Sequence, residues 1–191
     1  GIFSFFAILK NLTLEIKNFF RGTNELLVVI ITLIILLPFV NRGVMSLIKI
    51  PTASGNIYEQ QYQMGRFLNQ FYRDQAIAVN DIGITSYYGE IKLFDLIGLD
   101  SEEVARTILN NDFDSNYINN IAKSKNVEIA IIYDNWFNNE IAAPKQWIKV
   151  GEWTITDNVV CGGDTVSFYA VDIGEKKNLI KNLQTFSKEL P

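Results

Sequence analysis

The sequence contains no histidine, and among its 191 residues there are one cysteine, Cys161, and four prolines. Without an imidazole base, Ser-His-Asp and Cys-His catalysis are closed, and so are the usual zinc sites. A single cysteine excludes an intramolecular disulfide and any cysteine-rich metal site. There is also no basic block: 17 Lys and Arg stand against 21 Asp and Glu, a net charge of −4. Phosphate binding needs clustered Lys and Arg, so nucleic acid is not the main partner. Carboxylate chemistry, metals held by oxygen ligands, and binding remain.

Apolar residues make up 48% of the chain, and they are unevenly spread. Residues 26–40 read LLVVIITLIILLPFV, with Thr32 the one polar side chain. As a helix this run is about 22 Å long, short of a hydrocarbon core of about 30 Å. Val44, Met45, Leu47 and Ile48 extend its reach, with Arg42 able to snorkel. The alternative is a buried core helix, but the run has no polar face to show water. We therefore read 26–45 as a transmembrane helix.

Residues 1–9 (GIFSFFAIL) are apolar, and Lys10 follows them. A signal peptide has the reverse order, with charge first. The segment has the look of the tail of an earlier membrane helix, so that 1–25 comprises that tail and a loop. Lys10, Lys17 and Arg21 against Glu15 give the loop a positive balance, which assigns it to the cytoplasm and residues after Val40 to the extracytoplasmic side. The sequon Asn11-Leu12-Thr13 then falls on the cytoplasmic side and is read as chance.

From residue 46 to 191 the composition is that of a globular domain. Ile57–Tyr72 has a helical stripe of apolar side chains, with a start expected at Ala53-Ser54-Gly55-Asn56. Ala76–Val79, Ile91–Leu96 and Val127–Tyr133 read as strands, separated by short helices over Ile82–Tyr88, from Ser101 onward, and over Ser115–Lys125. Trp147–Ile155, Val159–Cys161 and Thr165–Val171 are spaced like a β-meander, and Lys176–Leu190 like a closing helix with Ile180, Leu183 and Phe186 as its apolar positions. The expected fold is α/β: one transmembrane helix, then a compact three-layer-like domain with a mixed, largely parallel sheet and a C-terminal meander and helix.

The residues able to carry chemistry are few. Asp81 ends the first strand and is followed by Gly83. Carboxyl ends of strands in open α/β sheets commonly bind ligands, so Asp81 is either a ligand or the cap of the next helix. Asp95 lies in the apolar run Leu93–Leu99, where a carboxylate must be paired or hydrogen-bonded. Asp134 follows the third strand, giving two carboxylates at one sheet edge for acid–base or metal roles. Trp136, Phe137, Trp147 and Trp153 are either sugar-stacking residues or residues for core packing or membrane-surface anchoring. Gly162-Gly163-Asp164 reads as a tight turn, since no Lys-Ser/Thr follows it. Cys161 reads as a small hydrophobe.

The stretches Ala78-Val79-Asn80-Asp81-Ile82-Gly83-Ile84-Thr85-Ser86-Tyr87-Tyr88 and Leu93-Phe94-Asp95-Leu96-Ile97-Gly98-Leu99 resemble a motif pair of bacterial GT-C membrane glycosyltransferases. There a strand, "NDIGAIxYY" and "LDLxGL" lie in the soluble domain after the last membrane helices. Tyr133-Asp134-Asn135-Trp136-Phe137 and Trp147–Trp153 are similar to the pieces that follow. The resemblance covers most of 57–171. It implies a transferase that uses a polyprenyl-phosphate sugar at the extracytoplasmic face, with membrane lipid and a lipid-linked sugar or glycan as partners. It also implies a catalytic acid, in some members with a divalent cation, in a first extracytoplasmic loop that has no counterpart here. No catalytic residue or metal ligand carries over. The expectation is a non-catalytic C-terminal domain, with Asp81, Gly83, Asp95, Asp134 and Trp136 as candidate ligand-binding residues; the competing expectation is a membrane-tethered binding or assembly domain.

Overall fold

The computed structural model describes residues 25–137 and 143–191. The membrane-helix tail read at 1–9 and the loop at 11–24 lie outside the described residues. The chain divides into two compact units, Gly1–Lys49 and Ile50–Pro191.

Helix α1 runs from Glu25 to Asn56. Among the described residues it is the one helix long and apolar enough to cross a membrane, and its most apolar stretch is not buried inside the protein. Leu37 is 61% exposed and Phe39 70%. Thr32 donates its hydroxyl to the Val28 carbonyl at 2.8 Å, so the one polar side chain of the run is satisfied within the helix. The start expected at Ala53–Asn56 is absent. Asn56 has helical angles (φ −57°), and its amide is engaged with the distant Thr156 and Val159 rather than with a helix N-terminus.

In the second unit a π-helical turn, Ile57–Tyr62, leads into α2, Gln63–Phe71. Five strands follow: β1 Ala76–Val79, β2 Lys92–Asp95, β3 Val127–Ile132, β4 Ile148–Thr154 and β5 Thr165–Ala170. Between them lie α3 Gly83–Gly89, α4 Glu102–Leu109 and α5 Ser115–Ser124, and α6 Lys176–Phe186 closes the chain. The sheet order is β2-β1-β3-β5-β4. β1 pairs in parallel with β2 and β3, whereas β5 is antiparallel to both β3 and β4. The mixed α/β fold is the one expected, with parallel pairing confined to one half of the sheet.

Alternating strand residues feed two cores. On one face Ile77, Val79, Ile129, Ile131 and Phe168 pack with Met64, Phe67 and Leu68 of α2 and with Leu179, Leu183 and Phe186 of α6. On the other, Ala78, Phe94, Ala130 and Ile132 pack with Val104 of α4 and with Ile118 and Ile121 of α5. Helices thus cover both faces in three layers. Phe67, with no exposure, meets Trp153, Phe168 and Phe186 edge-to-face at ring separations of 5.5–5.6 Å.

The meander is a two-stranded hairpin, because Val159–Cys161 is loop. Its backbone donors are taken by side chains: Val159 N–H by Asn56, and those of Val160 and Cys161 by Asn158. A ladder would need those same groups. The helix after β1 is also uncapped by Asn80 or Asp81, since no side chain accepts at its N-terminus.

Asp95 ends β2 at 2% exposure. Its two oxygens accept the Ile97 N–H at 2.8 Å and the Asp100 N–H at 2.7 Å, fixing the turn into α4. Gly98 in that turn has φ +81°, and a Cβ there would lie 2.7 Å from the Ala105 backbone. Gly98→Ala is expected to cost about 2 kcal/mol or more, from strain plus the clash. Chemical unfolding of the detergent-solubilised chain measures this, and a loss under about 0.5 kcal/mol would mean that the turn yields freely.

Candidate functional site

The connection leaving β1 passes through α3, which packs against α2 on the first face. The one leaving β3 brings Phe137, Ala143 and Trp147 to the second face. Adjacent parallel strands whose connections diverge define the crevice at their carboxyl ends where α/β sheets bind ligands. Asn80-Asp81 and Tyr133-Asp134 stand there, directly after the two strands.

Asn80, 1% exposed, continues the sheet with its side chain. Its Nδ2 donates to the Tyr133 carbonyl and its Oδ1 accepts the Tyr133 N–H, both at 2.9 Å. That pair holds Tyr133, whose ring is also buried. The Tyr133 hydroxyl donates to Gln60 Oε1 at 2.7 Å and accepts from Gln61 Nε2 at 2.7 Å. The same Gln61 Nε2 donates to Asp81 Oδ2 at 2.7 Å. Gln60 Nε2 reaches the carbonyls of Gly163 and Asp164 at 3.2 and 3.1 Å.

Two consecutive glutamines thus both point inward, with exposures of 0% and 4%. In an α-helix neighbours diverge by about 100°, and the wider π turn over Ile57–Tyr62 narrows that angle. Gln61 Oε1 is buried without a hydrogen-bond partner. Burial, with the charges of Asp81 and Cys161 adding to it, holds the Tyr133 hydroxyl protonated well above the usual tyrosine range.

The glycine turn closes over the tyrosine. Trp136 stacks on Tyr133 at 5.3 Å and donates its indole N–H to the Gly162 carbonyl at 2.7 Å. A Cβ on Gly162 would clash with the Trp136 ring, and one on Gly163 would lie 3.2 Å from the Tyr133 ring. Glycine is required here for close approach, the tight turn being the sequence-based expectation.

Asp134 has a different set of partners. It accepts from Ser167 Oγ at 2.7 Å, from Tyr169 OH at 2.8 Å and from Lys149 Nζ at 3.2 Å. Lys149 also pairs with Glu152 at 2.9 Å. The hydrogen bond that Lys149 donates to Glu152, together with Asp134, raises the Lys149 pKa against the opposing effect of burial. Beside them lies an open cleft of about 290 Å³ lined by Asp134, Asn135, Lys149, Asp164, Thr165 and Ser167.

Of the sequence-predicted residues, Asp81, Asp134 and Trp136 are brought to one sheet edge. Asp81 is held by Gln61, Asp134 by β4 and β5, and Trp136 lies over the glycine turn. Gly83 opens α3, exposed. Asp95 ends the neighbouring strand β2, in register with Val79, and is engaged in its own turn rather than in this network. Gln60, Gln61 and Tyr133 were not singled out in the sequence. Their one signal is Gln60-Gln61 beside the aromatic residues of a stripe, which helical periodicity reads as a solvent-facing pair. Among the described residues no cluster of three or more His, Cys, Asp or Glu could hold a metal ion.

These features define a mixed α/β domain with a hydrogen-bonded polar crevice at the divergence of two parallel strands. Residues 55–169 match the family model of a domain of unknown function, DUF8728, and the chain belongs to that family. Those residues include the whole network, from Gln60 to Asp164. No curated protein and no solved structure matches the chain.

Cys161 is half-buried beside this crevice, and burial together with the Asp81 charge pushes its thiol up to about 11. Alkylation of Cys161 should therefore be slow at pH 8 and rise with a midpoint near 11. Asp81→Asn removes the repelling charge, so the midpoint should move down and the rate at pH 9 increase. A wild-type midpoint in the ordinary range of about 8–9 would contradict this assignment of the charges around Cys161.

Proposed function

We propose that the protein is a membrane-anchored α/β domain that serves, without catalysing, a glycosyltransferase using a polyprenyl-phosphate sugar at the extracytoplasmic face. The anchor is the Leu27–Ile50 part of α1, about 36 Å of helix with apolar side chains exposed along it. The basic residues Lys10, Lys17 and Arg21 ahead of it support a cytoplasmic N-terminal side.

The observation that carries the reading is the use to which the GT-C-like motif residues are put. Asn80 extends the sheet, Asp81 holds Gln61, Asp95 takes two backbone N–H groups, and Gly98 supplies a positive φ. The resemblance therefore rests on residues that build a particular strand–helix–strand unit, which a related soluble domain would need. The carboxylates Asp81, Asp95 and Asp134 each have protein partners, which suits a supporting role better than proton transfer.

A second reading, a tethered binding or assembly domain outside any transferase, is favoured by the polar cleft beside Asp134. One experiment separates them: transfer from radiolabelled polyprenyl-phosphate hexoses in native membranes with the gene intact, deleted, or carrying Asp81→Asn or Asp134→Asn. The transferase reading expects deletion to abolish one lipid-linked transfer, and both substitutions to keep at least about a tenth of it, roughly 1.4 kcal/mol. Unchanged transfer on deletion overturns it in favour of the second reading. A loss beyond about a hundredfold in a folded Asp134→Asn chain would put the chemistry in this domain.

A further inference from the structure

A row of four tyrosines joins the π turn to the end of α3. Tyr58 stacks on Tyr62 at 5.7 Å, Tyr62 meets Tyr88 edge-to-face at 5.3 Å, and Tyr88 meets Tyr87 edge-to-face at 5.0 Å. Tyr58, Tyr88 and Tyr87 are exposed, Tyr87 to 79%. Among the described residues no protein group bonds the four hydroxyls or the Asn69 carboxamide. Close helix packing holds the row in place: a Cβ on Gly65 would lie 2.9 Å from the Tyr88 Cβ, and one on Gly89 3.1 Å from the Leu68 Cβ. The row ends in an open cleft of about 500 Å³ lined by Arg66, Asn69, Gln70, Tyr87, Tyr88 and Glu90. That volume is in the range of ligand-binding clefts.

Charge and hydrogen bonding narrow the occupant. Arg66 pairs with Glu189 at 3.1 Å and Glu90 pairs with Arg73, so no charge is left over for an ionic ligand. α2 is helical up to Phe71, so its backbone bonds within the helix and offers no strand edge for a peptide to join. Side chains must meet the ligand instead. The tyrosine hydroxyls, the Asn69 and Gln70 amides and the spare Arg66 N–H groups offer more donors than acceptor atoms. A polyproline II segment is the peptide form that asks for donors alone: proline has no N–H, and the carbonyls of this helix have no internal partners. Its pyrrolidine rings dock on rows of aromatic side chains. Three ring-to-ring steps of 5.0–5.7 Å reach at most about 16 Å, the length of about five polyproline II residues.

We propose that the tyrosine row and its cleft bind a proline-rich segment of a partner protein in the polyproline II conformation. The inference concerns the second unit alone and stands apart from the transferase reading. A saccharide also stacks on tyrosine, but its hydroxyls donate as well as accept, and the one carboxylate of the cleft, Glu90, is held by Arg73.

The test uses the full chain in detergent and follows the fluorescence anisotropy of labelled decaproline, with a labelled glycine–serine decapeptide as the flexible control. Decaproline should bind saturably with a Kd below about 1 mM, and the control should not bind. Tyr87→Ala is expected to weaken binding at least about fivefold and Asn69→Ala about threefold. Ile173→Ala, at an apolar side chain 76% exposed and outside the cleft, should change nothing. Should Tyr87→Ala lower the melting temperature, Asn69→Ala carries the comparison alone. Failure of decaproline to bind would overturn the proposal. Binding that Tyr87→Ala and Asn69→Ala both leave intact would overturn it as well, since the peptide would then sit elsewhere. Maltohexaose that binds in a Tyr87-dependent way, where decaproline does not, would assign the cleft to a saccharide instead.

Discussion

The phenolic hydroxyl of Tyr133 is the constraint on which the domain turns. It is buried at the end of a central strand, where an unpaired hydroxyl costs on the order of 1–3 kcal/mol. It finds an acceptor in Gln60 and a donor in Gln61, two neighbours that a regular α-helix would point apart. The π turn follows from that demand, and through it the helix is bonded at once to β3, to Asp81 after β1 and to the glycine turn before β5. Asn80 secures the other end of the same tyrosine by pairing with its backbone. One side chain thereby ties together segments more than 70 residues apart.

The consequence for function is that the crevice is filled by the protein's own hydrogen bonds. A sheet edge of this kind ordinarily offers loose backbone and side-chain groups to a ligand. Here Asp81 is held by an amide, and Trp136 is packed flat on Tyr133 under Gly162. Asp134 opens to solvent, but with a lysine, a serine and a tyrosine already on its oxygens. Such an edge is suited to holding a helix against a sheet, and the helix so held continues in sequence from the apolar segment. The proposed role in support and docking, rather than in a chemical step, rests on this arrangement.

Much of this was legible in the sequence where the determinant was local. β1 and β3 are short apolar runs ended by Asn80-Asp81 and Tyr133-Asp134, and their positions followed from that alone. Ser101 caps α4 by accepting the Val104 N–H, and the acidic first turn behind it gave the helix away. The apolar run of α1 was equally plain. What could not be read depended on partners distant in the chain. Val159–Cys161 has strand composition, yet Asn56, about a hundred residues earlier, takes its backbone. Gln60 and Gln61 look solvent-facing until Tyr133 and Asp81 arrive. Asp95 looked equally suited to a ligand or to a buried bond, and only the turn to Asp100 decides for the bond. The antiparallel half of the sheet likewise depends on which edge β5 joins, and no short-range signal sets that.

The most direct measurement is a double-mutant cycle between Gln61→Leu and Tyr133→Phe, read by chemical unfolding of the full chain in detergent. If the hydroxyl and the amide stabilise each other as the geometry indicates, the two losses will fall short of additivity by about 1 kcal/mol. Strict additivity, with a coupling within about 0.3 kcal/mol of zero, would contradict the account, because the bond between Gln61 and the Tyr133 hydroxyl would then contribute nothing to holding the helix to the sheet.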